Sequence, residues 1–257
     1  MTGQLANLLN ISNDFLWHGI AVFLRVGALV ALLPAFGERT VPARIKLVIV
    51  LCFVLIVAPA IRLTDRTPSF DTLTLLVMTE TLAGFLLGIG IRLFVLALQT
   101  AGSIAAQSTS LSQILGGAVS DPLPAMGYIL IIAGLALVTI TGLHIKAASL
   151  IILSYDLLPM GQFPGGSTVS TWGVSRIAQA FGLAFTLAAP FVILSIIYNL
   201  TLGAINKAMP QLMVAFVGAP VITAGGLFVL ALASPFMLQH WMQALDAYLA
   251  NPFRMPP

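Results

Sequence analysis

Long apolar stretches, broken at proline and glycine, constrain this chain more than any other feature. They cover approximately residues 15–36, 47–61, 73–98, 127–153, 177–203 and 212–238. A helix needs roughly 17–25 apolar residues to cross the hydrocarbon core of a bilayer, so each stretch is near span length. The breaks between them carry turn chemistry: Pro34, Gly37 and Pro42; Pro59, Asp65 and Pro68; Gly116, Gly117, Pro122 and Pro124; Pro159, Gly161 and Pro164; and Pro210. A weaker seventh helix is expected over 241–250, with Trp241 and Tyr248 suited to a membrane interface.

Composition settles what surrounds these helices. The chain is 59% hydrophobic and 7% charged, whereas a soluble domain averages about 25% charged residues. Such a chain cannot clothe itself for water, so lipid or apolar protein must cover it. The fold class expected is all-α and membrane-associated, with about six kinked hydrophobic helices in hairpins. Its net charge of +3 is spread out, with no Lys/Arg run for a phosphate backbone, which excludes nucleic acid as a partner. Residues 1–13 hold no Lys or Arg, and the apolar run after them outlasts a signal-peptide core, so the first segment should stay in the mature protein. The one cysteine, Cys52, reads as a buried apolar filler.

Charge placement argues against plain alternate crossings. With six spans, Arg39, Arg44, Lys46 and Lys207 fall on one side and Arg62, Arg66, Arg176 and Arg254 on the other, so the bias of cytoplasmic loops toward Lys and Arg gives no orientation. Arg25, Glu80, Arg92 and Lys146 lie within or at the edge of apolar segments, where a charge must face protein, water or a partner charge. Arg25 and Glu80 are expected to pair between helices, or each to meet a charge on a neighbouring subunit, and Arg92 to snorkel at a helix end. Gly84 and Gly88 have the small-xxx-small spacing of close helix packing. Pro190, and Pro220 with Gly225 and Gly226, interrupt the last two stretches.

Enzyme chemistry is not expected. The sequence has no metal-ligand spacing, no phosphate-binding glycine loop and no nearby carboxylate pair within a segment, so no catalytic residue, metal or cofactor is assigned. His144 and Ser149 are five apart and on different helical faces, which disfavours a Ser/His pair. The most unusual stretch is the polar run 107–117, Gln-Ser-Thr-Ser-Leu-Ser-Gln-Ile-Leu-Gly-Gly, between two of the longest apolar segments. Polar backbone at membrane depth survives only inside protein or beside a water-filled cavity. The run is therefore either a pore-lining segment or a solvated loop.

The order of these junctions resembles the FliR family of flagellar biosynthetic proteins, whose relatives are the T-type export-gate component of type III secretion systems. The matching residues run through nearly the whole chain: Arg25-Val-Gly27 with Pro34, the run 41–46 (Val-Pro-Ala-Arg-Ile-Lys), Glu80 with Gly84 and Gly88, and Ala101-Gly102. They continue through Asp121-Pro122, Gly142-Leu-His144, Ser154, Leu158-Pro-Met-Gly161 and Ala189-Pro190, then Met209-Pro-Gln-Leu-Met213 and Val217-Gly-Ala-Pro220. Met213 stands where the family often has Asn, and Leu111, Ile114 and Leu115 stand where some members have phenylalanine.

The resemblance implies a structural, channel-forming subunit of the flagellar or type III export gate. It implies P-type and Q-type partners (FliP-like and FliQ-like), further FlhB-like and FlhA-like components, and unfolded protein substrates in transit. It also implies a seat in the bacterial inner membrane at the flagellar basal body, partly raised toward the periplasm. Residues 1–257 would form one FliR-like domain, with a P-type-like part over 1–170 holding the pore loop 103–124 and a Q-type-like hairpin over 177–238. The pore loop would use Gln107, Leu111, Gln113, Ile114, Leu115, Gly116 and Gly117. Arg25, Glu80, Gly84 and Gly88 would serve buried charge pairing and subunit packing, and Lys207, Pro210 and Gln211 a cytoplasmic hairpin tip. The alternative class is a small-solute secondary transporter. Such a protein commonly carries internal repeats, and none is visible between the halves.

Overall fold

The computed structural model of the chain describes residues 2–61, 70–109, 125–209 and 214–253. Among them all regular structure is helical: α1 (Thr2–Leu32), α2 (Ala43–Val57) running into a 3-10 turn (Ala58–Ala60), α3 (Phe70–Thr109), α4 (Ala125–Ile140), α5 (Leu143–Leu157), α6 (Gly166–Ala208) and α7 (Val214–Ala250). The fold class is thus all-α. Five helices are long and apolar enough to cross a membrane, or six when α4 and α5 count as one interrupted span.

Two compact units make up the chain, and their boundaries fall inside α3, α4, α6 and α7. The first comprises Met1–Arg92, Thr139–Val174 and Asp246–Pro257, the second Leu93–Val138 and Ser175–Leu245. In the first unit α1 buries the stripe His18, Val22, Arg25, Val26 and Leu29, spaced for one helical face, and Leu33 just beyond its end is buried too. Ala83, Leu87 and Ile91 of α3 and Leu143, Ala147, Leu150 and Ile151 of α5 complete that core. Only Val50, Phe53 and Val57 of α2 are buried. Phe53 meets Phe36 edge-on, with ring centroids 6.5 Å apart. In the second unit the core comes from Val95, Leu98, Ala101 and Ala105 of α3, Ala184, Leu187 and Phe191 of α6, and Ile222, Leu230 and Met237 of α7.

Several expectations need correction. The stretch read as one span over 127–153 is two helices, because Gly142 takes a left-handed φ of 81° and starts α5 afresh. Residues 241–250 are no separate interfacial helix but the end of α7, and Trp241 and Tyr248 are buried. The indole N–H of Trp241 donates to the Phe94 carbonyl at 2.8 Å, and the Tyr248 hydroxyl donates to the Leu87 carbonyl at 3.2 Å. Each polar tip thus finds a second acceptor site on α3 rather than interfacial water. Gly90 makes the second contact possible: a Cβ there would overlap the Tyr248 hydroxyl. Cys52 is exposed rather than buried, because α2 turns most of its circumference outward. Arg92 does not sit at a helix end. It lies in the interior of α3 and pairs with Glu38.

Candidate functional site

A buried ion pair organises the first unit. Arg25 on α1 and Glu80 on α3 are 1% and 0% exposed. The Arg25 guanidinium donates from Nε to Oε2 at 2.8 Å and from Nη2 to Oε1 at 3.2 Å, the two-pronged geometry in which Arg meets a carboxylate best. Two of its three remaining N–H donors are also used. Nη1 donates to Ser154 Oγ at 3.0 Å, and Nη2 donates to the Leu158 carbonyl at 2.9 Å. Ser154 can accept because its own proton goes to the Ile151 carbonyl at 2.6 Å. The Tyr155 ring covers the guanidinium face, 3.7 Å from Cζ to the ring centroid. Glu80 Oε1 accepts one more bond, from the Gly161 backbone N–H at 3.1 Å.

This arrangement locks α1, α3, α5 and the turn after α5 to one another. Gly161 has φ 74°, a conformation glycine adopts freely, and it brings its N–H onto the carboxylate. Gly84 lies one turn from Glu80, and a Cβ there would overlap the Arg25 carbonyl oxygen. A Cβ on Gly88 would come within 2.9 Å of Leu32 Cβ. Both glycines therefore pack on α1 of the same chain. The other two charges within apolar segments also have carboxylate partners: Arg92 has Glu38, and Lys146 Nζ donates to Asp246 at 2.7 Å.

In the second unit the polar stretch begins from a fastened root. Ser108 and Thr109, the last residues of α3, are buried. A helix ends with four carbonyls that lack intrahelical partners. Ser195 on α6 donates its hydroxyl to one of them, Ser108 O, at 2.6 Å. Asn199, one turn on, donates to Ser195 O at 2.8 Å and to its Oγ at 3.1 Å. A Cβ on Gly226 of α7 would lie 2.5 Å from Thr109 Cγ2 and 3.3 Å from Met126 Cε, so described residues flanking positions 110–124 on either side pack on one glycine. Nearby, Gly102 of α3 and Gly127 of α4 let two backbones touch: a Cβ on Gly102 would overlap the Gly127 backbone.

The other sequence-derived candidates are placed as follows. Gln107 lies in the last turn of α3 and is exposed. Leu111, Gln113, Ile114, Leu115, Gly116 and Gly117 lie outside the described residues, as do Pro210 and Gln211. Lys207 is exposed in the last turn of α6. Ser149 donates its hydroxyl to the Ile145 carbonyl one turn back. Among the described residues no three His, Cys, Asp or Glu side chains gather as metal ligands would. Ser195, Asn199 and Gly226 were not singled out for this role. The available signal was a Ser and an Asn at i, i+4 in an otherwise apolar helix, where polar groups face protein.

Comparison with known proteins fits this architecture. Residues 16–248 match the family model of bacterial export proteins, family 1. The flagellar biosynthetic protein FliR of Caulobacter vibrioides is 35% identical over 225 residues, which is 86% of this chain and 89% of the relative. FliR of Escherichia coli is 29% identical over 218 residues, 83% of each chain. FliR of Aquifex aeolicus is 26% identical over 258 residues, 95% of this chain and 98% of the relative. The match of these relatives along most of their length, and of the family model along most of this chain, assigns the chain to the FliR family of bacterial export proteins.

Proposed function

We propose that this chain is a structural and channel-forming subunit of the flagellar protein export gate, or of its type III counterpart, and that unfolded proteins leave the cytoplasm through the assembly it helps to build. Its partners are P-type and Q-type subunits, with FlhB-like and FlhA-like components beside them. The seat is the bacterial inner membrane, with part of the assembly raised toward the periplasm. The run 103–124 forms part of the pore seal, and residues 177–238 play the part of a Q-type hairpin.

The kinship supports the export role, and one observation carries the structural reading. On α6 the side chains of Ile177, Phe181, Phe185, Ile193, Ile197 and Ile205 are exposed. At 1.5 Å per residue these exposed apolar side chains, which wind around the helix, extend over about 42 Å, against a hydrocarbon core of about 30 Å. Tilt alone would have to approach about 45°, past the range of roughly 0–40° seen for membrane helices. Lipid cannot cover such a length from end to end, so apolar protein must cover part of it.

Co-expression with P-type and Q-type partners, followed by native mass spectrometry, tests this. One copy of the chain in a hetero-oligomer is expected. A stable homodimer that forms without the other subunits would overturn it.

A further inference from the structure

The α1–α2 turn and the head of α2 concentrate positive charge. Glu38 is engaged by Arg92, and Lys46 Nζ donates to the Gly37 carbonyl at 2.9 Å. Arg39 and Arg44 are exposed, and among the described residues neither has a carboxylate within ion-pair distance. Arg44 and Lys46 lie in the first turn of α2, which contains no acidic residue. A helix N-terminus is itself positive and favours anions, so this first turn is opposite in charge to what the helix prefers. Among the described residues nothing supplies the negative charge that this first turn would attract.

The second observation lies directly below. Arg44, Leu47, Val48, Leu51 and Leu55 follow the i, i+3, i+4, i+7, i+11 spacing of one helical face, and all are exposed. The α2 window is only 17% buried, the least of the candidate spans. From Arg44 to Leu55 the stripe measures about 16 Å, close to half the ~30 Å hydrocarbon thickness, which is one leaflet. A cation at one end of a leaflet-long apolar stripe complements an amphiphile with an anionic head. A water-soluble acidic polypeptide would answer the arginines but not the stripe.

We propose that this face of α2 binds an anionic phospholipid, with the phosphate on Arg39 and Arg44 and an acyl chain along Leu47, Val48, Leu51 and Leu55. The site needs no particular export role; it requires only that the chain sit in a membrane.

The test uses the full chain with whatever subunits accompany it, reconstituted in nanodiscs of equal phosphatidylglycerol and phosphatidylcholine. Lipids retained after extraction are counted by native mass spectrometry. Phosphatidylglycerol should be enriched, and the enrichment should fall as salt rises, a measurement that needs no variant. Each juxtamembrane cation changes anionic-lipid binding about fivefold. Arg39→Gln with Arg44→Gln should therefore lower the phosphatidylglycerol preference roughly 25- to 30-fold while phosphatidylcholine retention stays unchanged. Arg39→Lys with Arg44→Lys should keep the preference. A salt-insensitive or absent preference in the wild-type protein overturns the site, as does a double Gln variant within twofold of wild type. Loss of an acidic subunit from the double Gln variant, with lipid preference intact, also overturns it and makes the surface a protein dock.

Discussion

Arg25 and Glu80 lie 55 positions apart and hold each other through two hydrogen bonds, out of reach of solvent. Removing one member of a buried pair strands the other and costs about 3–5 kcal/mol, while replacing both by apolar residues of similar volume is often neutral. Glu80→Ala and Arg25→Ala should each sharply reduce thermal stability in detergent. Arg25→Met combined with Glu80→Leu should recover much of the loss. In a motility or secretion assay Glu80→Gln should be milder than Glu80→Lys, because Gln keeps an oxygen acceptor for Arg25 and Gly161 whereas Lys places a second cation beside the guanidinium. Equal defects for Gln and Lys would mean that the pair does not hold these helices together.

Two glycines should respond in opposite ways to the same change. A Cβ on Gly84 meets the Arg25 backbone rather than a movable side-chain tip, so Gly84→Ala must push α1 from α3. Overpacking of this kind costs about 1–3 kcal/mol. Gly182, inside α6, has nothing within 4 Å of such a Cβ. For the chain purified alone, Gly182→Ala should therefore raise stability by up to about 1 kcal/mol, through helix propensity. If a neighbouring subunit packs on α6, that variant should lower recovery of the hetero-oligomer even as it stabilises the single chain. Thermal melts and co-purification, run side by side, separate the two effects.

At the end of α7, Tyr248→Phe removes the hydroxyl that donates to the Leu87 carbonyl and should cost about 0.5–1.5 kcal/mol. Tyr248→Ala empties the space beside Gly90 as well and should cost about 3–5 kcal/mol, the range for truncating a large buried aromatic. A readily measured difference between the two in detergent melts is expected. An interfacial tyrosine, wet at its tip, would show little difference.

The apolar spans were readable because hydropathy is a local property, and so were the charges that had to find partners, since an unpaired charge at that depth is prohibitive. Gly142 was not readable as a break: glycine is ordinary in membrane helices, and only its φ of 81° separates α4 from α5. Trp241 and Tyr248 misled because an amphipathic ring beside a polar segment reads as interfacial, while their acceptors lie 147 and 161 positions away. α6 begins at Gly166, well before its apolar stretch at 177, through Ser- and Thr-rich residues with weak helix propensity. The Ser195–Ser108 bond joins positions 87 apart. Nothing local marks which carbonyl a buried hydroxyl will reach.

That bond bears on the run 103–124 proposed as part of the pore seal. A closed channel must stop ions yet admit an unfolded chain, and apolar groups such as Leu111, Ile114 and Leu115 can dewet a constriction. Deleting residues 111–117 should leave assembly with the other subunits intact and make membranes leak ions or small solutes. Ser195→Ala loses the hydroxyl that closes the end of α3, and Gly226→Leu intrudes on Thr109 and Met126 together. Both variants should raise the leak by less than the deletion does, with the hetero-oligomer still recovered. Conductance of reconstituted assemblies in planar bilayers measures all three. If the deletion assembles and conducts no more than wild type, the run 103–124 is a connector. If only the deletion leaks, the run contributes to the seal, and its position does not depend on Ser195 or Gly226.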